Sequence, residues 1–248
     1  MNIQYFTSLP STNDKAMELL LLGGGEGTVV AARSQTAGRG QQNAAWESEA
    51  EKNLTFSIAL CPNFLCAEQM FYLSKTVSLG VLDFLRSQNL PASIKWPNDI
   101  YVNDAKICGI LIEQNIKGEH IANSVVGVGL NVNQAEFKHA PNATSLLLCD
   151  GKERNVEAMT ELLAGCILKR YESFKAAYQS ENSGVALENL DKEYLSQLYR
   201  RSGFFSYKSE NEIFSAKILS VAPNGELILQ RENGEQRSFW FKEVEFII

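Results

Sequence analysis

The chain has 248 residues, 45% of them apolar and 21% charged, and a net charge of -6, the composition of a folded globular protein with a sizeable core. Its Lys and Arg residues are scattered, so the field around it repels a nucleic-acid backbone and no DNA or RNA partner is expected. The five cysteines, Cys61, Cys66, Cys108, Cys149 and Cys166, form no C-x-x-C pair and have only His120 and His139 for company, which argues against a zinc site or a disulfide framework.

Met1 leads straight into a polar stretch with no signal-peptide pattern, and no apolar run approaches the ~20 residues of a membrane span. The chain reads as a cytoplasmic protein with no membrane partner. S-T-N-D at 11–14, then K-A-M-E-L-L-L-L and Gly23-Gly24-Gly25, predicts a capped helix closed by glycines. Ser11-Thr12-Asn13 is its N-cap, and the same hydroxyl and amide groups would also suit a small polar ligand. Strands are predicted over 28–32 and 53–60, joined by the polar loop S-Q-T-A-G-R-G-Q-Q-N-A-A-W. Glycines around Arg39 let backbone N–H groups converge on an anion beside a guanidinium, although the same residues equally describe a plain loop. Residues 67–88 predict a helix, with Met70, Leu73, Val77, Val81, Phe84 and Leu85 near a 3.6-residue period.

Strands dominate 94–132. With Asn103-Asp104 as a two-residue hairpin turn, Val102 faces Ala105, Tyr101 faces Lys106 and Asp99 faces Cys108, which puts Asp99 and Lys106 on one face as diagonal neighbours about 7–8 Å apart. A loop one residue longer would turn Lys106 to the other face. Lys106 is then either a cleft cation or a rim lysine. In V-V-G-V-G-L-N-V-N, residues 125–133, Val126, Val128, Leu130 and Val132 point one way and Gly127, Gly129, Asn131 and Asn133 the other. Glycines inside a strand mark the close approach of a ligand or of a neighbouring element. Helices are predicted over 156–179 and 185–200. From Gly203 five short strand-like runs, punctuated by Pro223-Asn224-Gly225 and Asn233-Gly234, have the pattern of a small closed β-barrel. The fold class expected is α+β, a mixed sheet flanked by helices, with domains at 1–200 and 201–248.

S-T-N, then S-Q-T-A-G-R-G-x-x-x-x-x-W, then K-W-P-N-D-I followed by K-x-x-G-I-L-I-E, then G-V-G-L-N-V-N, in this order, strongly resembles the biotin protein ligase family. The resemblance runs from about Ser11 to Asn133, and the trailing β module fits the family's SH3-like C-terminal domain. It implies the sheet shared with class II aminoacyl-tRNA synthetases and lipoate ligases. It also implies a reaction in which biotin, ATP and magnesium give biotinyl-adenylate, and biotin then passes to one lysine of the carrier domain of a biotin-dependent carboxylase.

By the same resemblance Lys106 is the catalytic lysine, with Arg39 second, and Lys106 touches both biotin and ATP. Ser11, Thr12 and Gln35 bind the ureido ring, and Asn13 belongs to their segment. Arg39, Gly40 and Gln41 lie in the loop that folds over biotin and its adenylate, and Gly109, Gly127 and Gly129 line the biotin site. Trp46 is a wall near the adenine, Asn98, Asp99 and Asn131 face the ATP phosphates, and Asp99 is the candidate magnesium ligand. Two departures stand out. Gln41, Asn43 and Ala44 replace an arginine, a glycine and an arginine of the common loop pattern, which implies weaker retention of the adenylate. Only ten residues precede Ser11, so the form without an N-terminal DNA-binding domain is expected. A lipoate or octanoate ligase uses a similar scaffold. A carrier would present an A-M-K-M-like hairpin, which is absent, and a non-catalytic biotin-binding protein would not need Lys106. A homodimer through a sheet edge is left open.

Overall fold

A computed structural model describes residues 1–41 and 45–247 of the chain. Ser11 caps the first helix as predicted. Its Oγ accepts from the Asp14 amide, and α1 (Thr12–Leu21) ends just before Gly23, whose φ of 83° turns the chain left-handed. The two strands expected next, β2 (Thr28–Ala32) and β3 (Leu54–Leu60), are buried along their whole length, so the middle of the sheet is covered on both faces. An edge strand that the sequence reading lacks, β1 (Asn2–Phe6), runs parallel to β2. Its N-I-Q-Y-F is half exposed at the sheet margin, where little apolar alternation is needed.

The helix expected over 67–88 is α2 (Phe71–Ser87). The remaining strands of the main sheet are β4 (Ala92–Lys95), β5 (Asp99–Val102), β6 (Ala105–Lys117) and β7 (His120–Leu130), and the seven strands run in the order β1-β2-β3-β7-β6-β5-β4. Every pair except β1–β2 is antiparallel. Phe56 and Ile58 of β3, with Val126 and Val128 of β7, belong to the large core under α2 and α4 (Val156–Tyr178). Burial of each such side chain stabilises the fold by ~1.5–3 kcal/mol. On the opposite face, Ala16 and Leu20 of α1 pack on Val30, Ala59 and Val125. That face carries Thr55, Ser57, Gly127 and Gly129, because Ser57 pairs with Gly127 and Thr55 with Gly129.

The β5–β6 hairpin starts in the expected register, with Val102 opposite Ala105 and Tyr101 opposite Lys106, and then departs from it. Ile100 faces Cys108 and Asp99 faces Gly109 rather than Cys108, so Ile107 is the extra residue of a β-bulge. The cause lies outside the hairpin. Asn131, continuing β7, donates its N–H to the Ile107 carbonyl, while residues 142–144 take Lys106 through Lys106 N to Asn142 O and Thr144 N to Lys106 O, each 2.8 Å.

After a short α3 (Leu146–Asp150) that the sequence did not announce, α4 and α5 (Ser183–Ser196) match the two expected helices. The chain then forms five antiparallel strands, β8 (Phe205–Ser209), β9 (Glu212–Val221), β10 (Leu227–Arg231), β11 (Gln236–Phe239) and β12 (Glu245–Phe246), in the order β11-β10-β9-β8-β12. Among the described residues β11 and β12 do not pair with each other, so the sheet is open where a closed barrel was expected. Its aromatic core of Tyr207, Phe214, Phe239 and Phe246 is continuous with the main core. Among the described residues no helix is long and apolar enough to cross a membrane.

α2 approaches α4 closely at Gly80, where a Cβ would lie 2.8 Å from Ile167 Cα. Gly80→Val should therefore lower the unfolding free energy by roughly 1–3 kcal/mol through overpacking, measured as a lower denaturant midpoint with unchanged slope. A variant as stable as the parent would contradict this packing.

Candidate active site

A cavity of about 470 Å³ opens on the α1 face of the main sheet. One end is neutral and polar. Gln35 Oε1 accepts from Thr12 N at 2.7 Å and from Thr12 Oγ1 at 3.1 Å. Ser57 Oγ, supplied by β3, lies 2.8 Å from Thr12 Oγ1 and 2.6 Å from Asn13 Oδ1. Asn13 Nδ2 in turn donates to Glu113 Oε2 at 2.6 Å. Ser11, Thr12 and Gln35 all line the cavity, whereas the Asn13 amide already has partners inside the protein. Thr55, which lines the cavity, and Ser57, buried behind Thr12 and Asn13, were missed, because isolated hydroxyls in the apolar run L-T-F-S-I-A-L carry no motif.

The glycine face is explained by the chain's own side chains. A Cβ at Gly127 would sit 2.3 Å from Asn13 Oδ1, and one at Gly129 would sit 2.4 Å from Trp46 Cε2. At Gly109 the added atom would lie 2.9 Å from Trp46 Cζ3. These glycines therefore admit Asn13 and the Trp46 indole, and the three strand positions line the cavity beside them. Trp46 lies over the strands next to Lys106, whose Nζ is 5.6 Å from the ring centroid.

Arg39 uses its planar fork on a protein carboxylate. Its Nη1 and Nη2 donate to Asp14 at 2.9 and 2.5 Å, with Glu113 a further 3.6 Å from Nη2. The hydrogen bond from Arg39 holds the Asp14 carboxyl below its ordinary range. Gly40 and Gln41 line the cavity next to it. Asn43 and Ala44, the other two departures of the loop, lie outside the described residues.

The second end is rich in cations. Lys106 Nζ stands 2.6 Å from Asp99 Oδ1, with the two side chains 32% and 19% exposed. The bulge at Ile107 places Lys106 on the same face as Gly109, which a regular strand would separate from it. Lys95, unassigned by the sequence reading, lies between Tyr101 and Phe246, 5.3 and 5.2 Å from their ring centroids. Burial pushes its pKa below that of an ordinary lysine, partly offset by Asp99. The last strands contribute as well, since Phe241, Lys242, Val244, Glu245 and Phe246 line this end.

Two expected nucleotide contacts have other partners. Asn98 lines the cavity, but its Nδ2 donates to Ile110 O at 2.8 Å and its carbonyl accepts from Ile110 N at 3.0 Å, so it fastens the hairpin. Asn131 does not line the cavity. It is buried, its Nδ2 donates to Thr144 O at 2.9 Å and its carbonyl accepts from Leu146 N. It thereby holds the segment that pins the Lys106 backbone, a task that depends on a distant loop. Among the described residues no three His, Cys, Asp or Glu side chains cluster as a metal site. Asp99 is a single carboxylate, which fits magnesium held mainly by phosphate oxygens and water.

The model of the biotin/lipoate A/B protein ligase family matches residues 5–131. The bifunctional ligase/repressor BirA of Bacillus subtilis is 27% identical over 250 residues, covering 95% of this chain and 71% of that protein. The biotin–[acetyl-CoA-carboxylase] ligase of Paracoccus denitrificans is 31% identical over 161 residues, 62% of this chain and 66% of the relative. In fold the chain is similar to the biotin protein ligase from Aquifex aeolicus in complex with biotin and ATP, with a TM-score of 0.77 and 23% identity over 98% of this chain and 97% of that one. The chain belongs to the biotin/lipoate A/B protein ligase family.

Proposed function

We propose that the protein is an ATP-dependent biotin–[biotin carboxyl-carrier protein] ligase. The observation that carries this reading is Lys106 Nζ, 2.6 Å from Asp99 in the same cavity as the Thr12–Gln35 pair. The polar end suits the ureido ring of biotin, whose donors and acceptors need partners once buried, whereas the dithiolane of lipoate offers Thr12 and Gln35 no hydrogen-bonding group beyond each other. The names of the relatives favour biotin too.

In the first step a biotin carboxylate oxygen attacks the α-phosphorus of ATP, the bond to the pyrophosphate oxygen breaks, and biotinyl-5′-AMP forms. In the second, the neutral amine of the carrier lysine attacks the acyl carbon, the C–O bond to AMP breaks, and the amine gives up a proton. Both steps build negative charge on oxygens around phosphorus or carbon. Lys106 meets that charge where the carboxylate joins the α-phosphate, and its ammonium acts more strongly in a water-poor cleft than in bulk solvent. Arg39 transfers its fork from Asp14 to the adenylate as the loop closes, excluding water from the mixed anhydride. Lys95 and Lys242 face the outer phosphates. Asp99 would hold a magnesium ion together with phosphate oxygens, and that ion would supply charge neutralisation for the departing pyrophosphate.

The division at 1–200 and 201–248 and an SH3-like character for the second part belong to the same reading, supported by the separate five-stranded sheet. The partner is the carrier domain of a biotin-dependent carboxylase, and the setting is the cytoplasm. A net charge of -6 supports the absence of operator binding.

Pyrophosphate release that requires biotin tests the assignment. Lys106→Ala should lower it roughly 100- to 1,000-fold, and release driven by lipoate in place of biotin, or left intact in the variant, would refute it. The half-buried Lys95 sets a pH dependence. As pH rises, its lowered pKa makes it lose charge before an ordinary lysine does, so kcat/KM for ATP should fall on the alkaline side. Lys95→Arg, which stays protonated, should remove that limb. A profile that the substitution leaves unchanged would take Lys95 away from the nucleotide.

A further inference from the structure

Lys75 lies on α2, is 1% exposed and does not line the main cavity. Its Nζ donates to Asp191 Oδ1 of α5 at 2.5 Å and to the Val221 carbonyl, at the end of β9, at 2.8 Å. Tyr72, Phe71 and Tyr194 surround the ammonium, with ring centroids 4.7, 5.9 and 5.8 Å away. Burial lowers the lysine's pKa in spite of the Asp191 carboxylate. A buried ion pair is a poor way to gain stability, since a well-packed apolar residue often does as well. What it adds here is direction.

The direction is toward one turn of the C-terminal sheet. Three groups of the larger part donate to three backbone carbonyls within residues 221–225: Lys75 Nζ to Val221 O, Phe71 N to Pro223 O at 3.1 Å, and Trp96 Nε1 to Gly225 O at 2.9 Å. Gly225, at φ 102°, admits Phe71 so closely that a Cβ would lie 2.8 Å from its ring. From this turn the path to the cavity is short. Val221 pairs with Leu227, Leu227 pairs with Phe239, and Phe241, two residues further on, meets Trp96 edge-on at 6.4 Å and lines the cavity with Lys242, Val244 and Phe246.

We infer that Lys75 is a positioning residue for the nucleotide end of the site: it seats the 221–225 turn and through it sets the wall formed by residues 241–246. This rests on the reading of that end as the ATP site. The lysine touches no substrate, so its signature is selective. The KM for ATP responds, while the KM for biotin, which binds at the Thr12–Gln35 end, does not.

Lys75→Met removes both bonds at similar volume. Asp191→Asn removes the charge partner from a half-exposed position, and Gly225→Ala displaces the turn without touching Lys75. In the full-length protein, with pyrophosphate release as readout, Lys75→Met and Gly225→Ala should each raise the KM for ATP roughly tenfold, the scale of one lost charge-assisted bond, and Asp191→Asn should do so less, with the KM for biotin within about twofold of the parent in every case. A parent with no biotin-dependent release would sink the assignment of function itself. With an active parent, folded variants that leave the KM for ATP unchanged, or that raise both KM values equally, overturn the role of Lys75. If Lys75→Met fails to fold, Gly225→Ala and Asp191→Asn decide by the same criteria.

Discussion

The contact between the Lys106 ammonium and the Asp99 carboxylate, 2.6 Å apart, lies on the glycine-bearing face because β6 carries one residue more than β5 can pair. Without the extra Ile107, Lys106 and Gly109 would fall on opposite faces of the sheet. The ion pair is partly exposed and worth little as a stability element. Its consequence is geometric, because it holds a cation against the one face from which side chains have been removed. The bulge is itself maintained from outside, by residues 142–144 on Lys106 and by Asn131 on Ile107.

That face has been cleared for more than a ligand. Gly127 makes room for Asn13, which bridges Ser57 and Glu113, and Gly129 makes room for Trp46. The polar end of the cavity is therefore a connected network from Gln35 through Thr12, Ser57, Asn13 and Glu113 to Arg39 and Asp14. Such networks hold their members in one arrangement when each has a partner. The loop guanidinium is part of it, so any anion that recruits Arg39 must first compete with Asp14.

The C-terminal sheet is bound into this arrangement rather than appended to it. Its turn at 221–225 accepts three hydrogen bonds from α2 and Trp96, and its last residues complete the cation-rich end of the cavity. Trp96 belongs to both contacts, since it donates to Gly225 and meets Phe241.

The grouping of Ser11, Thr12, Gln35 and Lys106 was implied by the family resemblance of their motifs. Local pattern alone determined much of the molecule: the capped α1, the strands β2 and β3, the alternation of β7 and the hairpin turn at Asn103-Asp104. These follow from periodicity and turn chemistry, which neighbouring residues carry between them. Tertiary structure decided the rest. β1 and α3 are too short and too weakly patterned to announce themselves, and the open edge of the second sheet depends on strand pairing. The bulge, the employment of Asn98 and Asn131 as fasteners, and the pairing of Arg39 with Asp14 each require a partner a dozen or more residues away. Lys75 was counted only within a helix, and its bond to a carbonyl 146 residues further along exists only once the chain has folded, because hydrogen bonds across a core are set by packing.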